Sequence, residues 1–168
     1  MERAKLDILI DICKRFNEHS VNYVVCGAFA SILYGVEKIS KQFRPTKDYD
    51  FLVDSSKENV KKIKDSLKGL FSKIDGLRDD DLEKYGTIQI VEEESELVLD
   101  LIVNMWGVNY TKAKMDADII KVKETKIPVL SLSNLIAMKK DSFRPQDRFD
   151  TYWLRQIKRG KNEKSPKC

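Results

Sequence analysis

The run "DYDFLV", residues 48–53, limits the fold more than any other stretch of the sequence. Its apolar, β-prone residues predict a buried strand that spans about 47 to 53. Successive side chains of a strand point to opposite faces, so Asp48 and Asp50 share one face while Tyr49 lies on the other. Two neighbouring carboxylates repel each other, and burying either one unpaired costs free energy. The strand therefore either holds a cation between its two aspartates or has an end that lies in water.

The order of predicted elements indicates an α+β domain with a mixed, mostly antiparallel sheet that helices flank. The patterns predict helices over 3–18, 28–34 and 56–68, strands over 21–26, 47–53, 85–92 and 96–104, a hairpin over 119–132, a helix through Met138 and a last helix from Pro145. We expect Asp54 or Ser55 to cap the helix at 56–68, and Ser131 or Ser133 to cap the helix that contains Met138. The predicted division is a core over 1–130, a small helical lobe over 131–160 and a disordered tail over 161–168.

The composition suits one domain with a packed core and a charged surface. The 168 residues are 42% hydrophobic and 35% charged, and no apolar run approaches the roughly 20 residues of a membrane span. Asp7 and Asp11 interrupt the apolar positions near the start, which indicates an amphipathic helix and not a signal peptide. The cysteines, Cys13, Cys26 and Cys168, have no metal-binding spacing, so we expect a reduced, cytoplasmic protein without membrane contact.

The net charge of +4 is concentrated near the end of the sequence. Residues 139–168 contain ten basic and four acidic residues, a balance of +6, which leaves 4 − 6 = −2 for the first 138 residues. A basic segment could contact phosphates, and it could equally be a solvated helix followed by a frayed tail.

A glycine between a predicted strand and a predicted helix offers a second candidate feature. In "VVCGAFA" the strand ends at Gly27, and the next helix begins with unpaired backbone N–H groups. Such a helix N-terminus binds phosphate, and glycine lets the phosphate approach the backbone. An ordinary strand-to-helix turn has the same pattern, so this feature alone does not establish a site.

A third carboxylate lies within another apolar run. Asp100 in "ELVLDLIVN" is the only charged residue between Leu97 and Val103, so it must be paired, bind a cation or reach solvent at the end of the strand. Together with Asp48 and Asp50 it would supply three carboxylates, and Mg²⁺ favours such oxygen ligands.

Basic side chains follow the apolar helix near the end of the chain. Lys139 and Arg144 could supply positive charge to a triphosphate. Asp147 and Asp150 follow at helical spacing, so the same stretch also reads as a helix surface with i, i+3 and i, i+4 ion pairs. The sequence assigns no role to these two aspartates.

These motifs together resemble the nucleotidyltransferase superfamily of DNA polymerase beta. The resemblance covers about residues 23–154. Within the superfamily, the sequence is similar to small bacterial abortive-infection nucleotidyltransferases of the toxin type. The matching positions are Gly27, Ala28, Arg44, Thr46, Asp48, Asp50, Asp100, Lys139, Arg144 and Asp147. The family usually has glycine or serine where this chain has Ala28, and many relatives have histidine where it has Tyr34.

The resemblance implies a fold, an activity and a set of site residues. Two Mg²⁺ ions would be held by Asp48, Asp50 and Asp100, the last on the acceptor side only. Residues that would bind the nucleotide are Gly27, Ala28, Arg44, Thr46, Lys139 and Arg144. The NTP would donate a nucleoside monophosphate to a hydroxyl of an RNA or tRNA end, a protein or a small molecule, and a toxin-type enzyme would have a cognate antitoxin as partner.

A non-catalytic module of the same fold is the alternative, with a nucleotide or a protein as its ligand. Three mutually repelling carboxylates favour the enzyme, because a binding module has no need to keep them together.

Overall fold

The computed structural model describes the backbone of residues 2–164 and the side chains of residues 5–162. In this part of the chain the helices are α1 (Glu2–Glu18), α2 (Gly27–Tyr34), α3 (Val36–Ser40), α4 (Lys57–Leu67), α5 (Asp81–Tyr85), α6 (Tyr110–Asp116), α7 (Leu132–Lys139) and α8 (Pro145–Lys164). The strands are β1 (Tyr23–Cys26), β2 (Asp48–Val53), β3 (Thr87–Glu92), β4 (Leu97–Ile102), β5 (Asn104–Met105), β6 (Val108–Asn109), β7 (Asp118–Val122) and β8 (Thr125–Val129). No helix in this part of the chain combines the length and the apolar character that a membrane crossing requires.

Six strands form one mixed sheet in the order β3-β4-β2-β1-β8-β7. The β1–β2, β3–β4 and β7–β8 pairs are antiparallel, whereas β2–β4 and β1–β8 are parallel. Strands β5 and β6 form a separate two-stranded hairpin. The predicted α+β class, with a mostly antiparallel sheet flanked by helices, is confirmed.

Strand β2 lies in the middle of the sheet and divides its side chains as the alternation predicts. Phe51 is fully buried, and its ring packs edge-to-face against Phe16 of α1 and Tyr23 of β1. Tyr49 points the same way, since its hydroxyl donates to the Lys5 carbonyl of α1. Truncation of a ring such as Phe51 to alanine costs about 3–5 kcal/mol in protein cores. The face opposite α1 is therefore the one that carries Asp48 and Asp50.

Short polar caps fix where the helices begin. The Ser56 hydroxyl accepts a hydrogen bond from Asn59 N, so Ser56 caps α4, and the expectation of Asp54 or Ser55 was wrong by one or two residues. Asp54 instead accepts a hydrogen bond from the Ser56 hydroxyl. The Ser131 hydroxyl caps α7 as predicted, because it accepts from Asn134 N. Serine at such positions satisfies one of the N–H groups that a helix start leaves free.

Helix α8 is longer than the sequence pattern indicates. It continues to Lys164, whereas we expected a disordered tail from residue 161. Lys161 lies over the Tyr34 ring at 5.1 Å from its centroid, and this contact joins the end of α8 to α2. Residues 165–168 of the expected tail lie outside the described residues. The division into a core and a helical lobe at residue 130 stays a prediction.

Candidate active site

The three predicted carboxylates lie on adjacent strands near one level of the sheet. In the parallel β2–β4 pairing Asp50 is opposite Asp100, and Asp48 is opposite Val98. On the other side of β2, Asp50 is opposite Cys26, the last residue of β1. The sequence placed Asp48 and Asp50 on one face, and the strand order adds Asp100 beside Asp50. The three carboxylate residues therefore lie near one another in the fold.

The Asp50 carboxyl is held in its neutral form by its surroundings. Burial, a hydrogen bond with Asp100 and the negative charges of Asp100 and Asp48 raise the pKa of Asp50 to about 8, against a small opposing effect of the Lys139 charge. On its far side, Asp100 Oδ1 accepts a hydrogen bond from Gln89 Nε2 at 2.9 Å. The neighbouring Asp100 is therefore one cause, after burial, of the raised pKa of Asp50.

Gly27 lies directly against this pair. Its φ of +70° is in the left-handed region, and a Cβ built at this position would overlap the Asp50 carboxylate, with the Asp50 Cγ only 2.8 Å away. Any larger residue would therefore displace Asp50 as well as strain the backbone. Gly27 also begins α2, and the side chain of Cys26 makes no capping hydrogen bond there. The helix start thus presents backbone N–H groups beside the carboxylates.

The carboxylates do not form a finished metal cage in this arrangement. Within the described residues, no three His, Cys, Asp or Glu side chains are grouped so that they could hold a metal ion together. The Asp50 carboxyl instead interacts with that of Asp100 through a hydrogen bond. A cation that bound here would replace the shared proton.

A cavity of about 570 Å³ opens in front of these residues. Every predicted site residue except Asp100 lines it. These residues are Gly27, Ala28, Arg44, Thr46, Asp48, Asp50, Lys139 and Arg144. Such a volume is typical of sites for small ligands and cofactors. Asp100 does not line the cavity, but it interacts with Asp50, which does. Residues that the sequence singled out in three separate stretches, 27–28, 44–50 and 139–144, therefore converge on one space.

A buried ion-pair cluster forms one wall of the cavity. Asp150 of α8 is fully buried and binds Arg44 through both oxygens, at 2.9 Å to Nε and 3.0 Å to Nη2. Lys139 Nζ donates to Asp150 Oδ2 at 3.0 Å and to Asp147 Oδ1 at 3.3 Å. Arg44 and Lys139 are each less than 10% exposed, so this cluster is desolvated and neutral overall.

The cluster also sets the ionisation of its outer carboxylate. Burial alone would raise the pKa of Asp147, but the hydrogen bond from Ser142, the charge and hydrogen bond of Lys139 and the charge of Arg144 hold that pKa below its usual value. Asp147 and Asp150, to which the sequence gave no role, therefore hold Lys139 and Arg44 in place. The nucleotide-binding roles of Arg44 and Lys139 stay predictions.

Thr46 and Arg144 lie at the cavity with different freedom. The Thr46 hydroxyl accepts a hydrogen bond from Asp48 N at 3.3 Å, and its carbonyl accepts from Lys5 Nζ at 3.0 Å. Thr46 thus fixes the segment that leads into β2. The Arg144 side chain is 72% exposed, with its Nε 3.9 Å from Asp147, so it can move toward a ligand. Their roles in nucleotide binding remain predictions.

Sequence reasoning missed several residues that line the cavity. They are Lys5, Pro45, Lys47, Met105, Trp106, Leu135, Met138 and Gln146. Lys5 lies on α1, far from the motifs in sequence, and nothing in its local pattern distinguishes it from other surface lysines. Trp106 had only a weak signal, because the glycine after it suggests a turn but tryptophan is disfavoured at the first central position of a two-residue hairpin turn.

Comparison with known proteins gives structural similarity without sequence similarity. No protein-family model and no curated protein sequence matches the chain. The crystal structure of the lincosamide antibiotic adenylyltransferase LnuA with lincomycin bound is similar, with a TM-score of 0.60 and 19% identity over 92% of this chain and 96% of that one. The Thermotoga maritima protein TM1012, a nucleotidyltransferase by unproven assignment, is also similar. Its TM-score is 0.55 and its identity is 15%, over 98% of this chain and 96% of that one. Across nearly its whole described length, the chain therefore has the fold of the nucleotidyltransferases.

Proposed function

We propose that this chain is a Mg²⁺-dependent nucleotidyltransferase that moves a nucleoside monophosphate from an NTP to a hydroxyl acceptor. The observation that carries the proposal is the cavity in which Asp48 and Asp50 meet the start of α2, in a chain with this fold. Carboxylates, a helix N-terminus and basic side chains are the groups that a metal–triphosphate complex requires.

The donor set suits a hard divalent cation. Burial, a hydrogen bond with Asp100 and the negative charges of Asp100 and Asp48 raise the pKa of Asp50, and a divalent ion would relieve the repulsion among these carboxylates. Asp48, Asp50 and Asp100 would hold the metal through oxygen ligands. Bound Mg²⁺ supplies charge neutralisation at the triphosphate and lowers the pKa of the acceptor hydroxyl.

The chain itself would bind and orient the triphosphate. The N–H groups at the start of α2 would donate to phosphate oxygens, and Gly27 leaves room for that approach. Lys139 has three N–H donors, of which Asp147 and Asp150 take two, so one remains for a phosphate oxygen. Arg144 is exposed enough to swing onto the same group.

With the substrates in place, the reaction is an in-line displacement. The acceptor hydroxyl gives its proton to solvent and its oxygen forms a bond to the α-phosphorus. The bond from the α-phosphorus to the oxygen that bridges to the β-phosphorus breaks, and pyrophosphate leaves with that electron pair. Positioning and fixed charge supply most of the rate in such reactions, so the buried cluster that holds Lys139 and Arg44 contributes by keeping the cavity wall rigid.

The acceptor and the cellular setting form a further part of this proposal. The +6 balance of residues 139–168 favours a polyanionic acceptor such as an RNA or tRNA end, in the cytoplasm. A small hydroxylated molecule has a structural precedent in the lincomycin-bound adenylyltransferase. A protein hydroxyl is the third class, and a toxin-type enzyme would in addition have a cognate antitoxin.

One observation favours the alternative of a non-catalytic module. Arg44 and Lys139 are already neutralised by Asp150 and Asp147 within the protein, so neither is a free cation in this arrangement. A protein of the same fold that only senses a nucleotide could keep such a cluster for stability.

A double-label assay separates the two functions. The chain is incubated with Mg²⁺ and an NTP labelled at the α- or the γ-phosphorus, together with a tRNA pool, protein substrates or hydroxylated small molecules. The enzyme transfers the α-label to one acceptor class and releases the γ-label as pyrophosphate.

Asp50→Asn should abolish this transfer, because it removes a metal ligand and keeps the size of the side chain. Asp65→Asn is the matched control, since Asp65 lies on α4, away from the cavity lining, and forms an ion pair with exposed Lys68. Mg²⁺-dependent NTP binding without any transfer would favour the module, and full activity of Asp50→Asn would overturn the metal assignment.

A further inference from the structure

Trp106 is the only aromatic side chain among the described residues that line the cavity. It lies at the tip of the β5–β6 hairpin, and 82% of its surface is exposed. Trp106 therefore offers a large aromatic face at the border of a cavity that Asp48 and Asp50 also line.

The backbone holds this tryptophan in an unfavourable conformation. Trp106 has a φ of +53° and Gly107 a φ of +80°, so both central residues of the turn are in the left-handed region. Asparagine or glycine adopts the first of these positions at lower cost than a bulky residue does. Backbone strain of this kind persists where the surrounding structure imposes it, often at functional sites.

Hydrogen bonds fix the turn from both sides. Asn104 Oδ1 accepts from Gly107 N at 3.0 Å, and the Gly107 carbonyl accepts from Lys112 Nζ at 3.2 Å. The Asn109 side chain then caps α6 through Lys112 N. Hydrogen bonds therefore hold in place the turn that carries the indole.

The residues that line the cavity are of two chemical kinds. The apolar ones are Pro45, Met105, Trp106, Leu135 and Met138, whereas most of the others are charged or polar. An NTP has the same division, with a polyanionic triphosphate and one planar ring system with apolar faces. Stacking on an aromatic side chain is the usual way in which proteins bind the face of a base.

We propose that Trp106 is the platform on which the nucleobase of the NTP stacks, which rests on the proposed function and adds the base subsite to it. Stacking uses the face that every base has, so the platform accepts all four NTPs and favours the larger purines. The triphosphate then extends toward Gly27 and Lys139, at the charged part of the cavity.

Intrinsic fluorescence can test this directly, since the chain has two tryptophans and Trp153→Phe leaves Trp106 alone. ATP, GTP, CTP, UTP and inorganic tripolyphosphate are titrated with Mg²⁺ into this single-tryptophan protein. The NTPs should quench its emission, purines at lower concentration than pyrimidines, and tripolyphosphate should bind without quenching. Calorimetry on variants of the otherwise unchanged chain gives the affinities.

Trp106→Ala should weaken NTP binding roughly 5- to 150-fold and leave tripolyphosphate binding unchanged. Trp106→Phe keeps a ring and should retain most of the affinity. Phe143→Ala is the matched control, because Phe143 is 89% exposed and does not line the cavity.

Three outcomes would overturn the inference, and they differ from one another. If the Trp106→Ala protein binds NTP as tightly as wild type and retains transfer, the base lies elsewhere, while the proposed function stands. If NTP affinity is unchanged and transfer is lost, Trp106 contacts the acceptor and not the base. A wild-type chain that binds neither NTP nor tripolyphosphate overturns the proposed function itself and the base subsite with it.

Discussion

Asp50 lies opposite Asp100 in the parallel pairing of β2 and β4, and the two carboxyls share a hydrogen bond. Burial and the repulsion between these carboxyls raise the pKa of Asp50, so its protonated form is favoured in the absence of a cation. Under the proposed function Mg²⁺ would take the place of that proton, and the first two predictions depend on this difference.

In the metal-free protein, stability should fall as the pH rises from about 4 to about 8. The pKa of Asp50 rises from 3.8 to about 8 on folding, so between these values the folded state binds more protons than the unfolded state and loses stability with pH. The total effect is on the order of a few kcal/mol. Asp50→Asn should remove this slope. Urea unfolding in EDTA at pH 5 and pH 8 measures it, and parallel pH profiles for both proteins would contradict the assignment.

Mg²⁺ and a non-hydrolysable NTP analogue should stabilise the fold together more than the sum of their separate effects. Each completes the coordination of the other, so their binding is linked. Thermal unfolding of wild type with either ligand and with both measures the coupling. Asp50→Asn should lose it, whereas Asp65→Asn should retain it. Equally tight analogue binding with and without Mg²⁺, measured by calorimetry, would place the nucleotide away from the carboxylates.

Gly27→Ala should cost both stability and activity, beyond the cost of a left-handed alanine. Gly86→Ala is the matched control, because Gly86 has a φ of +73° against +70° for Gly27 but nothing within 4 Å of an added Cβ. A left-handed alanine costs on the order of 1 kcal/mol, and the overlap with Asp50 adds to it at Gly27 only. Equal losses of unfolding free energy in the two variants would show that the close approach to Asp50 is unimportant.

Asp150→Asn should destabilise the protein by about 3–5 kcal/mol, since it leaves two buried cations with one carboxylate fewer. Glu93→Gln is the control for an exposed pair, because its partner Lys73 lies in solvent, and it should change stability little. Chemical unfolding of both variants measures the difference. An Asp150→Asn protein as stable as wild type would show that Arg44 and Lys139 find other partners.

Replacing Arg155, Lys158 and Arg159 by glutamine should reduce RNA binding and spare NTP affinity. These residues lie on α8 in the basic segment, and each lost phosphate contact should flatten the dependence of log affinity on log salt by roughly 0.7–0.9. Lys139→Ala should instead weaken NTP binding whatever the acceptor. Identical salt slopes for wild type and the triple variant would leave a small molecule or a protein hydroxyl as the acceptor.

The sequence predicted those parts of the site that follow from strand geometry. Side-chain alternation alone placed Asp48 and Asp50 on one face, and the apolar run around Asp100 identified a second strand. The partners of Arg44 and Lys139 could not be predicted, because a bond between Arg44 and a residue 106 positions away has no local signal. Trp106 was missed for a related reason. Its turn has a residue that turn rules disfavour, and only the folded hairpin shows where the ring points.

The bond between Arg44 and Asp150 also has a consequence for the order of synthesis. Arg44 leaves the ribosome 106 residues before its partner does, which at about 5–20 residues per second is a delay on the order of 5–20 seconds. Throughout that interval the segment before β2 lacks the carboxylate that neutralises it, and Lys139 has not yet been joined to Asp150. A nascent chain can therefore contain all three carboxylates of the sheet and still lack a finished cavity wall. Capacity to bind the triphosphate should appear only after α8 has emerged, at the end of the described fold.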